Sequence, residues 1–280
     1  MTAIPRSTPR VLPGLSLGLG ISILFVTLIV LLPISGLLWQ LAQLTPADYV
    51  RVMSSERVLT ALRVTLTAAA AATLINGVFG LMLAWVLTRY RFAGRGLIDA
   101  LVDLPFALPT AVAGIALVSL YDRSGWLGSI LDKFGLQVAY TWWGIMIAMI
   151  FTSIPFAVRA IQPAIEELDP DEEAAALTLG ANGVQRFLRV VLRPLMPSIL
   201  TGVGLSFVRS MGEFGAVIFI AGNLPYKTEI ASLLILIRLD EFDYPAAAAI
   251  AGTLLLLSVI LLVAINLAQT RMQRYLRAEG

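Results

Sequence analysis

Long apolar stretches alternate with short polar segments along almost the whole chain. Six stretches have roughly the 20 residues that an α-helix needs to cross the apolar core of a bilayer. We place these spans at about 15–41, 61–88, 97–121, 139–161, 195–221 and 245–269. Membrane β-strands would instead read as short segments of alternating polarity. The pattern therefore predicts an all-α, polytopic membrane helical bundle of about six transmembrane helices, forming a single domain over 1–280.

Composition narrows the possible functions. Hydrophobic residues make up 58% of the chain and the mean hydropathy is +0.86, which excludes an ordinary soluble domain. Cys and His are both absent, which argues against thiolate or imidazole metal sites and against Ser–His catalysis. Because the chain also lacks the Gly-rich sequence of a P-loop, we expect it to bind no cofactor and no metal. A net charge of +2 gives no reason to expect nucleic acid as a partner.

The placement of Lys and Arg predicts the orientation. With a cytoplasmic N-terminus, the inner segments hold 12 of these residues and the outer segments hold 7. Since positive charge accumulates on the cytoplasmic side, we expect both termini to be cytoplasmic. Among the outer connections, 46–56 is expected to form a short helix and 126–134 an interfacial segment. The apolar stretch 228–237 is about half a span long, so we expect it to be re-entrant or interfacial.

An acid-rich loop at about 163–193 forms the longest inner connection. Asp169 is a good N-cap, Pro170 suits the first helical turn, and the three acids that follow complement a helix N-terminus. Gly180 suits the left-handed position after a helix, and residues 184–192 have the pattern of a second, amphipathic helix. The loop is therefore predicted to be a helix–turn–helix on the cytoplasmic face, with an ordinary solvated loop as the alternative.

This loop resembles the Glu-Ala-Ala loop of ABC-importer permeases, whose short helix fits a groove on an ATP-binding subunit. Aligned on Gly180, the family pattern has its Glu where this chain has Ala174 and its Pro where this chain has Arg193. Glu172 and Glu173 come just before that position, and we take Glu173 as the replacement acid. The residues that the resemblance assigns to coupling with the ATP-binding subunit are Glu172, Glu173, Ala174, Ala175, Leu179, Gly180, Ala181 and Asn182.

Further blocks extend the resemblance over nearly the whole chain. They lie at 11–14, 87–92, 103–114, 151–156, 212–223 and 241–247. They are similar to the T-type permease subunit of bacterial sulfate/thiosulfate ABC transporters. The resemblance implies a non-catalytic, multi-pass subunit of the bacterial inner membrane, in contact with membrane lipid and paired with a related W-type permease. It also implies an ATP-binding subunit dimer that uses ATP and Mg²⁺, and a periplasmic sulfate-binding protein.

Two charged residues lie inside the predicted fifth span. Arg209 and Glu213 are four residues apart, so they share a helix face. They either form a mutual ion pair that stabilises the bundle, or Arg209 supplies positive potential along an anion path. Ser210, Gly212 and Gly215 lie beside them as further candidates for that path, although small residues equally permit close helix packing.

The predicted third span begins with two acids and contains two prolines. Pro105 and Pro109 free backbone groups within a membrane helix, which predicts a kink. Asp103 is expected near the cytoplasmic interface, where it would hydrogen-bond a neighbouring helix. A hinge for alternating access at this point is a further hypothesis.

Other classes of function stay open at this point. Molybdate or tungstate import is the alternative within the ABC permeases, and a secondary anion transporter or channel is the alternative outside them. An intramembrane enzyme would need paired acids at depth, whereas Asp99 and Asp103 lie near the end of a span.

Overall fold

The computed structural model describes residues 15–279, and the side chains of 17–272 within that range. The block 11–14 and the inner residues Arg6 and Arg10 lie outside it, as do the side chains of Arg274 and Arg277. Three helices contribute most of the length: α3 (Glu56–Arg89), α7 (Trp142–Glu166) and α12 (Tyr244–Glu279). Two more contain a π turn, namely α1 (Leu15–Val26, Thr27–Leu31 and Leu32–Ala42) and α9 (Gly183–Arg186, Phe187–Val191 and Leu192–Met211). The remaining helices are α2 (Pro46–Met53), α4 (Arg95–Ala107), α5 (Thr110–Tyr121), α6 (Trp126–Asp132), α8 (Pro170–Thr178), α10 (Val217–Ile220) and α11 (Ala231–Asp240).

Helices α3, α7 and α9 pack against one another at the centre of the bundle. Small residues bring their backbones together: Gly80 of α3 and Gly202 of α9 both lie directly against Ala157 of α7. Ala68 and Ala72 of α3 are fully buried in the same core. Close approach through Gly and Ala is typical of helix packing in membranes, where the lipid is as apolar as the core. Helix α12 packs on α9 and α11, and α1 contacts the bundle through α12.

Helix α3 defines the two ends of the bundle. Its 34 residues extend for about 50 Å. Near its first residue, the Arg57 guanidinium donates two hydrogen bonds of 2.8 and 2.7 Å to the buried carboxylate of Glu229. At its last residue, Arg89 binds Glu173 of α8. We call these the opposite end and the α8 end.

The all-α membrane fold is confirmed. Within residues 15–279, α1, α3, α7, α9 and α12 are long and apolar enough to cross a membrane, and α4 with α5 makes a sixth span if the bent pair counts as one. The predicted short helix at 46–56 is found as α2, and the segment 126–134, which was predicted to be interfacial, contains the short helix α6. The half-span at 228–237 corresponds to α11, whose Leu233 and Leu234 are buried against the rest of the bundle.

The third span is interrupted, whereas the sequence predicted only a kink. Helices α4 and α5 meet at 114° across Leu108 and Pro109. Pro109 has no N–H to donate, and a residue before proline avoids the helical region. Leu108 accordingly adopts φ −84° and ψ 132°, an extended conformation that ends α4, and the chain restarts as α5 at Thr110. Pro105 lies inside α4.

The predicted limits of the fifth span, 195–221, are wrong at both ends. The helix starts at Gly183, because the amphipathic segment 184–192 continues into the span through a π turn instead of lying as a separate helix. It ends at Met211, ten residues early. Apolar residues continue to Ala221, but tertiary contacts described below keep the chain after Met211 out of a continuous helix. Arg209 therefore lies in the last helical turn, and Glu213 lies beyond the helix.

Candidate functional site

Short-range contacts shape the acid-rich loop. The Asp169 carboxylate accepts a hydrogen bond of 2.9 Å from the Asp171 N–H, which caps the start of α8. After α8, Gly180 adopts φ +81°, which an L side chain would disfavour. The Ala181 N–H then bonds back to the Ala176 carbonyl at 3.0 Å, completing the C-cap arrangement that glycine favours. The predicted N-cap and left-handed glycine are therefore confirmed, and α8 is a short, well-delimited helix.

Glu173 is the acid that ties α8 to the bundle. Its carboxylate lies 2.8 Å from the Arg89 guanidinium of α3 and 3.7 Å from that of Arg186 in α9. Arg89 in turn lies 5.1 Å from the ring centre of Trp85, a cation–π distance. Glu172, by contrast, is exposed. Glu173 thus links α8 to α3 and α9 within this chain.

The exposed surface of the loop includes several apolar residues. Asn182 and Gln185 form a reciprocal capping box, with hydrogen bonds of 2.9 and 3.0 Å, so that α9 starts directly after the turn. This turn presents a leucine, Leu179, that is 88% exposed. The surrounding exposed residues are Ala174, Ala175, Leu177, Val184 and Leu188. We call Leu179 and these five residues the docking surface, as a candidate contact site for another protein.

A second candidate site lies where α9 ends. Arg209 Nη1 and Glu213 Oε2 are 2.6 Å apart, and the Glu213 side chain is 1% exposed while that of Arg209 is 31% exposed. The other carboxylate oxygen of Glu213 accepts a hydrogen bond of 3.0 Å from the Ala216 N–H. The hydroxyl of Ser232 in α11 donates to the Glu213 carbonyl at 2.8 Å. Glu213 therefore both fixes the non-helical segment after α9 and neutralises Arg209.

A polar cluster of four fully buried residues places this ion pair at mid-depth. Asn76 of α3 donates to the hydroxyls of Ser153 in α7 at 2.8 Å and Ser206 in α9 at 3.2 Å. Ser210 of α9 donates to Ser153 at 2.9 Å. Because Ser153 lies near the middle of α7, Ser210 and its neighbour Arg209 lie halfway through the bundle. The Ser210 hydroxyl is bound inside the bundle, and sequence reasoning did not identify Asn76 or Ser206.

The two interrupted spans meet at this depth. A Cβ atom on Gly215 would collide with the Thr110 side chain, and one on Gly114 would lie 2.5 Å from the Ala216 carbonyl. The start of α5, next to Pro109, is thus packed on the segment that follows α9. A Cβ atom on Gly212 would make only ordinary van der Waals contacts, the nearest at 3.8 Å from the Val208 carbonyl oxygen. The structure therefore brings the predicted kink and the predicted path residues into one region.

Asp103 is bound by an arginine that sequence reasoning did not connect to it. Arg159 of α7 donates to both Asp103 carboxylate oxygens, at 2.8 and 2.6 Å. It also donates to the Asp99 carboxylate at 2.7 Å and to Gln162 at 2.6 Å. Two-pronged arginine–carboxylate pairs are strong and directional. Arg159 therefore fixes α4 to α7 on the α8 side of the break.

The fold and these sites define a polytopic transport subunit: a helical bundle with two spans interrupted at mid-depth and a capped helix exposed at one end. Residues 76–277 match the family model described as the inner membrane component of binding-protein-dependent transport systems. The match covers well over half of the chain, so the chain belongs to this family.

Relatives and solved structures agree with this family. The chain is 58% identical to the sulfate transport system permease protein CysT of Salmonella typhimurium over 268 residues, covering 96% of this chain and 97% of the relative. The Escherichia coli protein of the same name gives the same values. A probable sulfate permease of Nephroselmis olivacea is 44% identical, with 91% and 90% covered. A bacterial ABC transporter involved in alginate import has the same fold, at a TM-score of 0.75, 19% identity and coverage of 92% and 95%.

Proposed function

We propose that this chain is the permease subunit of an ABC importer that moves sulfate or thiosulfate into the cytoplasm, using ATP hydrolysed by a separate subunit. The observation that carries the proposal is 58% identity over 96% of the chain to sulfate transport permeases. The aligned region covers nearly all of both chains, so the likeness is not confined to one segment. The chain itself is non-catalytic in this proposal, and ATP and Mg²⁺ belong to the partner.

The ATP-binding subunit docks on the docking surface around Leu179. Movement of that subunit displaces α8, and Glu173 passes the displacement to Arg89 of α3 and Arg186 of α9. Both helices continue to the polar cluster at mid-depth, where Asn76 of α3 bonds Ser206 of α9. Rigid helices joined by hydrogen bonds transmit such movement over tens of ångströms. This route connects the site of ATP use to the region of the path.

Sulfate crosses near the two interrupted spans. A dianion that leaves water needs donors in place of its hydration shell. Arg209 lies at that depth and is partly exposed, while Glu213 limits its net charge. A neutralised arginine attracts a passing anion without trapping it, as rapid transport requires. Interrupted helices, which leave backbone groups free to face a cavity, are typical of substrate pathways in transporters.

We infer the remaining subunits from the likeness to this family. A related W-type permease completes the path as a heterodimer, an ATP-binding subunit dimer binds at the α8 end, and a periplasmic sulfate-binding protein delivers the anion at the opposite end. In this proposal the α8 end and both termini face the cytoplasm of the bacterial cell. The binding protein performs most of the selection between sulfate and thiosulfate.

The test uses the complex reconstituted in proteoliposomes. We expect Leu179→Glu to weaken co-purification of the ATP-binding subunit and to abolish sulfate-stimulated ATPase activity, because it places a charge in the centre of the docking surface. The matched control is Leu136→Glu, since Leu136 is also exposed but lies at the opposite end of the bundle. The control should retain the ATP-binding subunit. Normal stimulation in a folded Leu179→Glu complex would refute the docking role and favour a channel or secondary transporter.

A further inference from the structure

A groove at the α8 end has no role in the proposed transport function. It has a volume of about 530 Å³ and lies on the outside of α3. One wall comes from the last turns of α3, including Met82, Trp85 and Val86, and the other from Phe187 in the π turn of α9. The rings of Trp85 and Phe187 meet edge to face with centres 5.8 Å apart, which fixes the two walls. The groove is therefore a built feature, formed by two helices and lined by apolar side chains.

The mouth of the groove is cationic. Arg91 lies there between Tyr90 and Phe92, just after α3 ends. Among the residues that the structure describes, no carboxylate pairs with Arg91, whereas the nearby Arg89 is bound to Glu173. An arginine flanked by aromatic rings at the end of a span is the arrangement expected at the level of lipid headgroups.

The apolar side of the groove continues along α3 towards the bilayer centre. Leu74, Val78 and Met82 lie on one face at intervals of four residues, and all three are exposed. From Leu74 to Arg89, the last residue of α3, the helix extends for about 22 Å, close to the thickness of one leaflet with its headgroups, and Arg91 lies two residues further along the chain. The groove and this stripe together match the length of a single phospholipid molecule.

We propose that this groove is a binding site for one phospholipid with an anionic headgroup. The acyl chains lie along the α3 stripe and against the paired rings of Trp85 and Phe187, and the headgroup phosphate binds the Arg91 guanidinium. Arginine favours phosphate because its planar donors match two phosphate oxygens. The charge complementarity at Arg91 is the reason to prefer an anionic lipid over a zwitterionic one, whose own cation offsets its phosphate.

The test uses the assembled complex in phosphatidylcholine nanodiscs that contain increasing fractions of a lipid with brominated chains. Bromine quenches a nearby tryptophan, so the signal of Trp85 is taken as the difference between the parent protein and Trp85→Phe. We expect quenching by brominated phosphatidylglycerol to saturate at a low mole fraction, and quenching by brominated phosphatidylethanolamine to rise without early saturation.

Two variants separate the headgroup from the chains. Arg91→Gln should raise the half-saturating fraction of phosphatidylglycerol about fivefold, the effect of losing one arginine contact at the membrane surface. Arg95→Gln, which changes an arginine four residues away that does not line the groove, should leave it unchanged. Val86→Phe fills the groove and should reduce quenching by both lipids. Circular dichroism and gel filtration check that each variant is folded.

Three results would overturn the proposal. Quenching by the two lipids could saturate at the same mole fraction, which would indicate that lipids occupy the groove without selectivity. Arg91→Gln and Arg95→Gln could shift the curve equally, which would indicate a diffuse surface charge. Trp85 could resist quenching by any lipid in the complex, which would mean that another subunit covers the groove. None of these readouts depends on sulfate or ATP, so the outcome is independent of the proposed transport function.

Discussion

The Arg209–Glu213 pair allows a quantitative test of how the protein tolerates charge at mid-depth. Glu213→Gln keeps the shape of the side chain and an oxygen that can accept from the Ala216 N–H, so it removes mainly the charge. Arg209 then loses a counter-charge 2.6 Å away, although its 31% exposure leaves it some solvation. We expect the free energy of unfolding to fall by about 2–3 kcal/mol, somewhat below the usual cost of breaking a fully buried pair.

Arg209→Met leaves Glu213, the less exposed partner, without a counter-charge. The Glu213 carboxylate is 1% exposed, so we expect this variant to lose the full amount of about 3–5 kcal/mol. The double variant removes both charges and should therefore cost at least about 2 kcal/mol less than the sum of the single changes. The assay is unfolding in mixed detergent micelles, followed by circular dichroism.

The matched control is the half-exposed pair Arg238–Glu241, 2.8 Å apart at one end of α11. Its cycle should show a coupling energy of at most about 1 kcal/mol, because solvent screens such pairs. Strictly additive costs at Arg209 and Glu213 would show that the two residues do not stabilise each other, and the reasoning would be wrong. In uptake assays, a stable Arg209→Met protein that imports sulfate at the parent rate would remove Arg209 from the anion path.

Three further predictions concern the connections between the sites. Arg89→Glu and Glu173→Arg should each abolish sulfate-stimulated ATPase activity of the reconstituted complex, and the double variant, which exchanges the two charges, should restore it. A double variant without activity would argue against transmission of movement through this ion pair. Gly180→Val should destabilise the turn after α8 by about 1–2 kcal/mol, because the native φ of +81° disfavours an L side chain, and limited proteolysis of the loop reports the loss. Gly215→Val should collide with α5 and lower the midpoint of thermal unfolding, whereas Gly212→Ala, whose Cβ meets only ordinary contacts, should not; equal midpoints would contradict the close packing.

Local signals explain why α8 could be predicted to within a residue. Asp169, Pro170 and Gly180 act on backbone groups one to four residues away, so their effect is the same in any surroundings. The existence of the long apolar spans was predictable for a similar reason, since length and hydropathy alone decide whether a helix can cross a bilayer. The break at Pro109 was also visible, although its angle was not.

Contacts between distant residues could not be predicted in the same way. The sequence placed Glu173 in the acid-rich loop, but its partner Arg89 is 84 residues away. Asp103 was expected to bond a neighbouring helix, yet nothing in the pattern selects Arg159 among the arginines. The end of α9 at Met211 was missed because the residues that follow are as apolar as the helix itself, and hydropathy carries no information about where a helix stops inside the bundle.

The sequence by itself determined the class of protein, the existence of its apolar spans, the capped loop and the family resemblance, because each depends on composition or on neighbours within a few residues. The tertiary structure alone decided that the two interrupted spans meet at mid-depth and that Arg209 is neutralised there. It also decided that α3 bonds α8 at one end and Glu229 at the other. The physical reason is that ion pairs and close glycine contacts depend on distance in space, which only the packing of the helices determines.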